Sequence, residues 1–276
     1  MLKKVYVEIT NVCNLACSFC PGTGREKRFM SPKEFRTIAE KLRGRTNFLY
    51  FHLMGEPLLH PALGELLAIA GEKGFRVIVT TNGTLLPERG EELARSPALH
   101  RANISLQAFE ANAENGTLKD YVNQCAVFAE KLSSAGKICS LRLWNGGGAE
   151  KLNGEIERLL SLRFPKPWTP GATNLTLRDR VFLEYGQMFD WPDLSAADYG
   201  AECFCHGLRD HVGVLCDGTV VPCCLDHEGD MALGNLFEQD FDEICSSPRA
   251  RAIYAGFSGR TAVEELCRRC GYARRF

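Results

Sequence analysis

Three cysteines fall within eight residues of the stretch EITNVCNLACSFCPGTG (residues 8–24), at Cys13, Cys17 and Cys20, a C-x3-C-x2-C spacing. Thiolates are soft metal ligands, and three of them can hold three irons of a four-iron cluster. The fourth iron then stays open to a small molecule. A structural zinc site is closed by four protein ligands, and ferredoxin-type runs carry a fourth cysteine at a set distance. Here the next cysteine is Cys125, far along the chain in a helical pattern. The spacing therefore describes a cluster with one working position left free, with a zinc site as the competing reading.

The other cysteines form a second group. Of thirteen in the chain, eight lie between residues 203 and 270, and only Cys125 and Cys139 lie between the groups. The N-terminus runs from Lys3 and Lys4 straight into the short strand-like Val5–Ile9, too brief for a secretory h-region. No stretch approaches a membrane span. The expected compartment is the cytoplasm, where thiols stay reduced and clustered cysteines mean metal ligation or catalysis. A formal net charge of -1 over 276 residues, with scattered basic residues, points to neither nucleic acid nor a membrane as partner.

Something must position these thiols, and the first half of the chain supplies a rhythm for it. Val5–Ile9 reads as a strand. Ser31-Pro32-Lys33-Glu34 is a capping box opening a helix that Gly44 closes. Strands follow at 47–53, 75–80, 102–107 and 137–144. Helices follow at 61–73, 87–95 and 118–135, with Gly74 and Gly136 as stops. A helix near 149–161 and a strand near 175–184 come next, and the proline-rich 164–173 breaks the pattern. Strands alternating with helices imply a parallel sheet with right-handed crossovers. Six units fall short of the eight of a closed barrel. The expected architecture is α/β, a partial (β/α)6 barrel over residues 1–200. A small cysteine-rich domain follows over 201–276, with a hairpin turn at Asp217-Gly218.

In such folds ligands bind at the carboxyl ends of the strands. The unusual residues all fall there: the cysteine loop after the first strand, Met54-Gly55-Glu56-Pro57 after the second, and Thr81-Asn82-Gly83 after the third. Ser105 and Gln107 end the fourth strand, and Arg142 to Asn145 the fifth.

On these residues the chain resembles the radical S-adenosylmethionine (SAM) enzymes. Their signature is C-x3-C-x2-C after the first strand with an aromatic residue before the last cysteine, here Phe19. The resemblance implies that Cys13, Cys17 and Cys20 hold a [4Fe-4S] cluster. Its open iron chelates SAM, which is cleaved reductively to a radical that abstracts a hydrogen atom from the substrate. Met54-Gly55-Glu56-Pro57 looks like the family's Gly-Gly-Glu-Pro motif for the SAM ammonium, with Met54 replacing the first glycine. The resemblance extends SAM binding to Gly55, Glu56, Ser105 and Gln107, with Asn82 as an alternative turn-holder and Asn145 near the adenosine.

The second group resembles the first part of the SPASM domain in its truncated, twitch form. Gly218-Thr219-Val220-Val221-Pro222-Cys223 has the form G-x4-C, Leu233-Gly234-Asn235 follows, and Cys267-Arg268-Arg269-Cys270 closes the set. By that resemblance Cys205, Cys223, Cys267 and Cys270 hold an auxiliary [4Fe-4S] cluster, Cys203 and Cys224 being the rivals and Cys216 and Cys245 small buried hydrophobes. The layout resembles a twitch-type dehydrogenase over nearly the whole chain. An auxiliary cluster can accept the second electron of a two-electron oxidation.

The expected function is therefore a radical SAM oxidoreductase acting on a small molecule. Two alternatives stand beside it: a maturase that crosslinks a ribosomally made peptide, and a non-enzymatic zinc-binding protein. The implied electron donor is a flavodoxin or ferredoxin. Acid–base candidates are His52, His60, His206, His211, His227, Glu184 and Asp226, none singled out.

Overall fold

The computed structural model describes residues 1–111, 116–148 and 150–276. Among them the strands are β1 (Lys4–Val7), β2 (Phe48–Phe51), β3 (Arg76–Thr81), β4 (Leu99–Ser105), β5 (Ile138–Gly146), β6 (Thr169–Pro170), β7 (Asn174–Arg178), β8 (Val181–Gln187), β9 (His211–Val214), β10 (Thr219–Val221) and β11 (Gly234–Asn235). They form one sheet in the order β11-β10-β9-β1-β2-β3-β4-β5-β8-β7-β6. From β9 to β8 every pairing is parallel. Short antiparallel pairings finish both ends. The fold is α/β with a mostly parallel sheet.

Five helices serve the parallel run: α1 (Pro32–Leu42), α2 (Leu63–Glu72), α3 (Leu86–Arg95), α4 (Leu118–Ser134) and α5 (Asn153–Arg163). The expected helix near 149–161 is α5; residue 149 lies outside the described residues. Helix α1 starts as the sequence requires, with both halves of the Ser31/Glu34 capping box formed. It buries Phe35, Ile38, Ala39 and Leu42, one stripe at helical spacing. Helix α4 buries Tyr121, Val122, Cys125, Phe128 and Leu132 in the same way. Cys125 and Cys139 are core residues, their thiols pushed up by burial, Cys139 to about 12.

The two faces of the sheet differ. Val5 and Val7, Leu49 and Phe51, Val77 and Val79, Ala102 and Ile104, Leu141 and Leu143 all join the helix-covered core. The alternate residues are mostly polar: Lys4, Tyr6 and Glu8 along the first strand, then Tyr50 and His52, Arg101, Asn103 and Ser105, Ser140 and Arg142, and Glu184, with Ile78 and Phe182 the apolar ones among them. Strands that alternate in this way have one face against the helices and one turned elsewhere. Here the other face turns upon itself. The Arg142 guanidinium of β5 acts on Tyr6, Tyr50 and His52 at the far side of the parallel run. A flat sheet would hold β1 and β5 about 19 Å apart, so the sheet curves and this polar face is its concave side.

Two expectations are refined. The strand near 175–184 is two strands, β7 and β8, reversing at Asp179 and Arg180, and only β8 joins the parallel run. The hairpin at Asp217-Gly218 forms, but its first strand, β9, pairs in parallel with β1 (Val5 with Val212, Val7 with Val214). The sheet thus continues from the N-terminal half into the cysteine-rich segment. That segment adds three helices, α6 (Phe241–Cys245), α7 (Pro248–Ser258) and α8 (Glu265–Arg268).

Candidate active site

The loop carrying Cys13, Cys17 and Cys20 leaves β1 and is fastened at its base. The Thr10 hydroxyl donates to the Arg28 carbonyl (2.9 Å), and the Asn11 amide spans from the Glu26 carbonyl to the Arg28 N–H. The Cys20 N–H closes a turn on the Cys17 carbonyl (3.0 Å). Cys13 and Cys20 are exposed and Cys17 half-buried. The thiols of Cys13 and Cys20 lie near enough to act on one another.

Gly55 sits directly under this loop with φ +76°. A Cβ there would lie 2.4 Å from the Thr10 carbonyl oxygen and 2.9 Å from that of Val12. Only glycine allows that approach, and the Glu56 N–H then donates to the Val12 carbonyl (2.8 Å). The Glu56 side chain is buried. It accepts from Leu58 N–H (2.9 Å), the Thr81 hydroxyl (2.7 Å) and Asn82 N–H (2.7 Å). Burial nonetheless pushes its pKa up to about 7. Glu56 therefore ties the loop after β2 to the loop after β3. Asn82 passes the tie on: its side-chain amide donates to Oδ1 of Asn14 (2.9 Å), inside the cysteine loop.

Ser105 ends β4, and its carbonyl accepts from the Tyr121 hydroxyl (3.3 Å), which also donates to the Asn82 carbonyl (2.7 Å). Gln107 is 7% exposed, and its buried Oε1 has no hydrogen-bond donor among the described residues. An orphaned buried acceptor of this kind suits a site completed by a ligand. Asn145 and Asn153 exchange hydrogen bonds (2.9 and 3.1 Å), which fastens the end of β5 to α5.

The second cysteine group gathers from three segments. Cys205 and Cys267 pack beside Cys203 against Ile253, Phe257 and Ala262. Cys205 acts electrostatically on Cys223, Cys267 and Cys270. Burial pushes all of these thiols upward, and their mutual repulsion as thiolates adds to it. Cys224 faces elsewhere, packing with Leu53, Met54, Leu215 and Val221 and with Tyr6 of the concave face. Cys203 stays beside Cys205 and Cys270 and remains a rival ligand. Cys216 lies against Arg25, 3.9 Å from Nη1. Gly218 forms the β9–β10 turn, where a Cβ would strike Asn235 and Phe237.

Among the described residues no three Cys, His, Asp or Glu side chains converge on a single metal-ion position. The donor chemistry still fits iron–sulfur clusters: three thiols on one loop, and several from three segments where burial disfavours a free thiolate. Thiolates in such a place need a cationic centre to bind them.

A buried ion pair, absent from the sequence-based candidates, joins the two groups. Glu8, with its side chain fully buried, pairs with Arg25 of the cysteine loop (2.7 Å). It also accepts from Met54 N–H (3.2 Å) and Cys216 N–H (3.2 Å). Arg25 Nε donates to the His227 carbonyl (2.8 Å), Gly24 N–H to Glu228 (2.9 Å), and Trp191 Nε1 to the Phe19 carbonyl (3.0 Å). The cysteine loop is thus stapled to the segment just after Cys223 and Cys224.

Several acid–base candidates hold structure. His60 bonds the Met30 carbonyl (2.9 Å) and Ala62 N–H (3.1 Å). Buried Asp226 accepts from Gly229, Asp230 and Met231 N–H groups. His206 pairs with Asp210 (3.0 Å), and His227 turns to the Leu225 carbonyl. Glu184, His52 and His211 face the concave side.

This arrangement, a three-cysteine loop over the carboxyl ends of a parallel sheet beside a second thiol cluster, defines a radical SAM enzyme. The Radical SAM superfamily matches residues 7–140, and the SPASM iron-sulfur cluster-binding domain matches residues 203–271; the chain carries both domains. With these domains come their cofactors, a [4Fe-4S] cluster with SAM in the first and an iron–sulfur cluster in the second. The particular likeness is to the S-adenosyl-L-methionine-dependent 2-deoxy-scyllo-inosamine dehydrogenase of Niallia circulans, 24% identical over 98% of this chain and 93% of that protein. A crystal structure of BtrN in complex with AdoMet and 2-DOIA matches 98% of this chain and 93% of that one, with a TM-score of 0.57 and 19% identity. Over 38% of its length the chain is 34% identical to a probable GTP 3',8-cyclase of Methanocaldococcus jannaschii, but it spans only 36% of that protein. Streptococcus suis SuiB bound to its precursor peptide SuiA matches with a TM-score of 0.64 and 16% identity, over 99% of this chain and 70% of that one. Among the described residues no helix is long and apolar enough to cross a membrane.

Proposed function

We propose that this chain is an oxidoreductase that removes a hydrogen atom, and then a proton and a second electron, from a small polar molecule. The single observation that carries this reading is the staple between the two cysteine groups. Glu8–Arg25, Gly24–Glu228 and Arg25–His227 fix the radical-generating loop against the segment leaving Cys223. Such proximity is what a two-electron oxidation requires of a radical site and an electron acceptor. The near-full-length likeness to a dehydrogenase supports the same reading.

When bound, the first cluster and SAM supply the hydrogen-abstracting radical, and the auxiliary cluster supplies an electron acceptor. The chain's own residues do the rest. Cys13, Cys17 and Cys20 would hold the first cluster, and Cys205, Cys223, Cys267 and Cys270 the second. Gly55 lets the loop after β2 approach the cysteine loop, and Glu56 fixes that loop to Thr81 and Asn82. Gly55, Glu56, Ser105 and Gln107 would line the SAM site, with the buried Gln107 Oε1 free to accept from it. The curved parallel run acts as a partial barrel, residues 1–200, which keeps water from the radical. Residues 201–276 act as the auxiliary unit, and a flavodoxin- or ferredoxin-type protein would supply electrons in the cytoplasm.

A second reading, modification of a ribosomally made peptide, is favoured by the likeness to peptide-bound SuiB. The test is anaerobic reconstitution with dithionite and SAM. Formation of 5′-deoxyadenosine is expected, together with about eight irons per chain. Absence of 5′-deoxyadenosine from cluster-replete protein would falsify the radical reading.

A further inference from the structure

The concave face of the sheet carries more positive charge than its carboxylates offset. Of its two acids, Glu8 is taken up by Arg25 of the cysteine loop, which leaves Glu184. It accepts from Arg142 Nε (3.1 Å) and the Ser140 hydroxyl (2.9 Å), and it pairs with Arg101. Arg142 spends only its Nε on this contact. Among the described residues its two terminal nitrogens have no hydrogen-bond acceptor, although the side chain is only 15% exposed. Its guanidinium lies 4.3 Å from the Trp144 ring centroid.

Lys4 enters the same face from β1. Its ammonium stands 5.0 Å from the ring centroids of both Tyr6 and Tyr50. The nearest acid, Asp210, is already bonded to Lys3 (2.8 Å) and His206 (3.0 Å). Three cations, Lys4, Arg101 and Arg142, therefore share one carboxylate. His52 and His211 flank them and stay neutral down to about pH 4: burial acts first, followed by Arg142 and Lys4 on His52 and by Lys4 on His211. Half-buried cations without a counter-charge are costly unless an anion completes them. A terminal guanidinium edge presents the two parallel donors that carboxylate and phosphate accept.

We propose that Arg142 and Lys4 together bind a carboxylate or phosphate group on the substrate, so that the molecule oxidised is a small anion. This deepens the oxidoreductase reading and rests on it for the word substrate; the anion site itself stands on geometry alone. Trp144, at the carboxyl end of β5 and 44% exposed, closes the rim over Gly186.

The test uses the reconstituted, anaerobic holoenzyme. Its melting temperature is followed by circular dichroism as inorganic phosphate, and separately acetate, is raised at constant ionic strength. A ligand that binds only the folded state raises that temperature with its concentration. A rise is expected in the wild type, and its midpoint should move at least tenfold in Arg142→Met and in Lys4→Met. Arg142→Lys should restore part of the response. Lys4→Met, at the first residue of β1, serves if Arg142→Met fails to fold. A stronger response to phosphate than to acetate assigns a phosphate monoester; the reverse assigns a carboxylate.

An equal rise in wild type and both variants is general salt stabilisation and overturns the proposal, as does no rise in the wild type. SAM affinity is measured beside each variant. If Arg142→Met loses SAM while its anion response is unchanged, the guanidinium holds the SAM carboxylate and the proposal fails. Formation of 5′-deoxyadenosine separates the two readings. Cleavage without an anion response sinks only this inference. An anion response without cleavage sinks the radical reading and leaves the anion site.

Discussion

The two cysteine groups are built on opposite plans. The first takes three thiols from one loop of eight residues, two of them exposed, and hangs them over the sheet by backbone and amide bonds. The second draws its half-buried thiols from three segments spread over more than sixty residues, with Cys205 and Cys267 packed against Ile253, Phe257 and Ala262. The bonds that fasten the base of the first loop use no thiol. The second is held together across the chain, and its thiols are each pushed upward by burial. An open group suits exchange with a small ligand. A closed group suits an electron carrier that must not react.

Breaking each group in turn should expose this difference. Cys205→Ala/Cys223→Ala should drop iron from about eight to about four per chain. It should also lower the melting temperature by about 10 °C, because metal binding there is coupled to folding. Replacing Cys13, Cys17 and Cys20 together should remove the same amount of iron and shift melting by only about 3 °C. Equal losses of stability in the two variants would erase the contrast.

The staple between the groups is tested by Glu8→Gln. Removing one partner of a buried pair leaves Arg25 uncompensated at a cost of about 3 kcal/mol. Denaturant unfolding should report that loss, and 5′-deoxyadenosine formation should fall with it. A smaller but sharper probe is Gly55→Ala, expected to cost about 2 kcal/mol from its positive φ and the contact with Thr10. SAM affinity should fall in that variant while iron content holds, which would locate the defect at the loop contact.

The smallest effect is a pH dependence. His52 has a folded pKa of about 4, below its ordinary 6.5. A depressed pKa means its contribution is present above pH 6.5 and is lost as pH falls towards 4. A His52→Phe variant should flatten that part of the stability curve, and a curve unchanged from wild type would show that His52 does not titrate there.

Much of this was readable from the chain. The capping box at Ser31, the glycine stops and the alternation of periods placed the helices within a few residues. The cysteine loop announced itself by spacing alone. What escaped was long-range or two-sided. The pairing of β9 with β1 joins residues about two hundred positions apart, and a short strand carries no local mark of its partner. Lys4, Tyr6 and Arg101 alternate with apolar neighbours, a pattern that reads as a solvent-facing strand face. Curvature turned that face inward, and curvature is a property of the whole sheet. Glu8 and Arg25 carry no local mark of their pairing, because Met54 and Cys216 reach Glu8 from elsewhere in the chain.

The parallel pairing of β1 with β9 also sets a schedule for synthesis. Val7 meets Val214, so one edge of β1 has no partner until the last quarter of the chain leaves the ribosome. At roughly 5–20 residues per second that wait is on the order of 10–40 s. During it an apolar strand edge and the unsupported cysteine loop beside it are open to wrong pairing and premature oxidation. The nascent chain thus needs protection at its very beginning, and delivery of the first cluster belongs after the hairpin has closed.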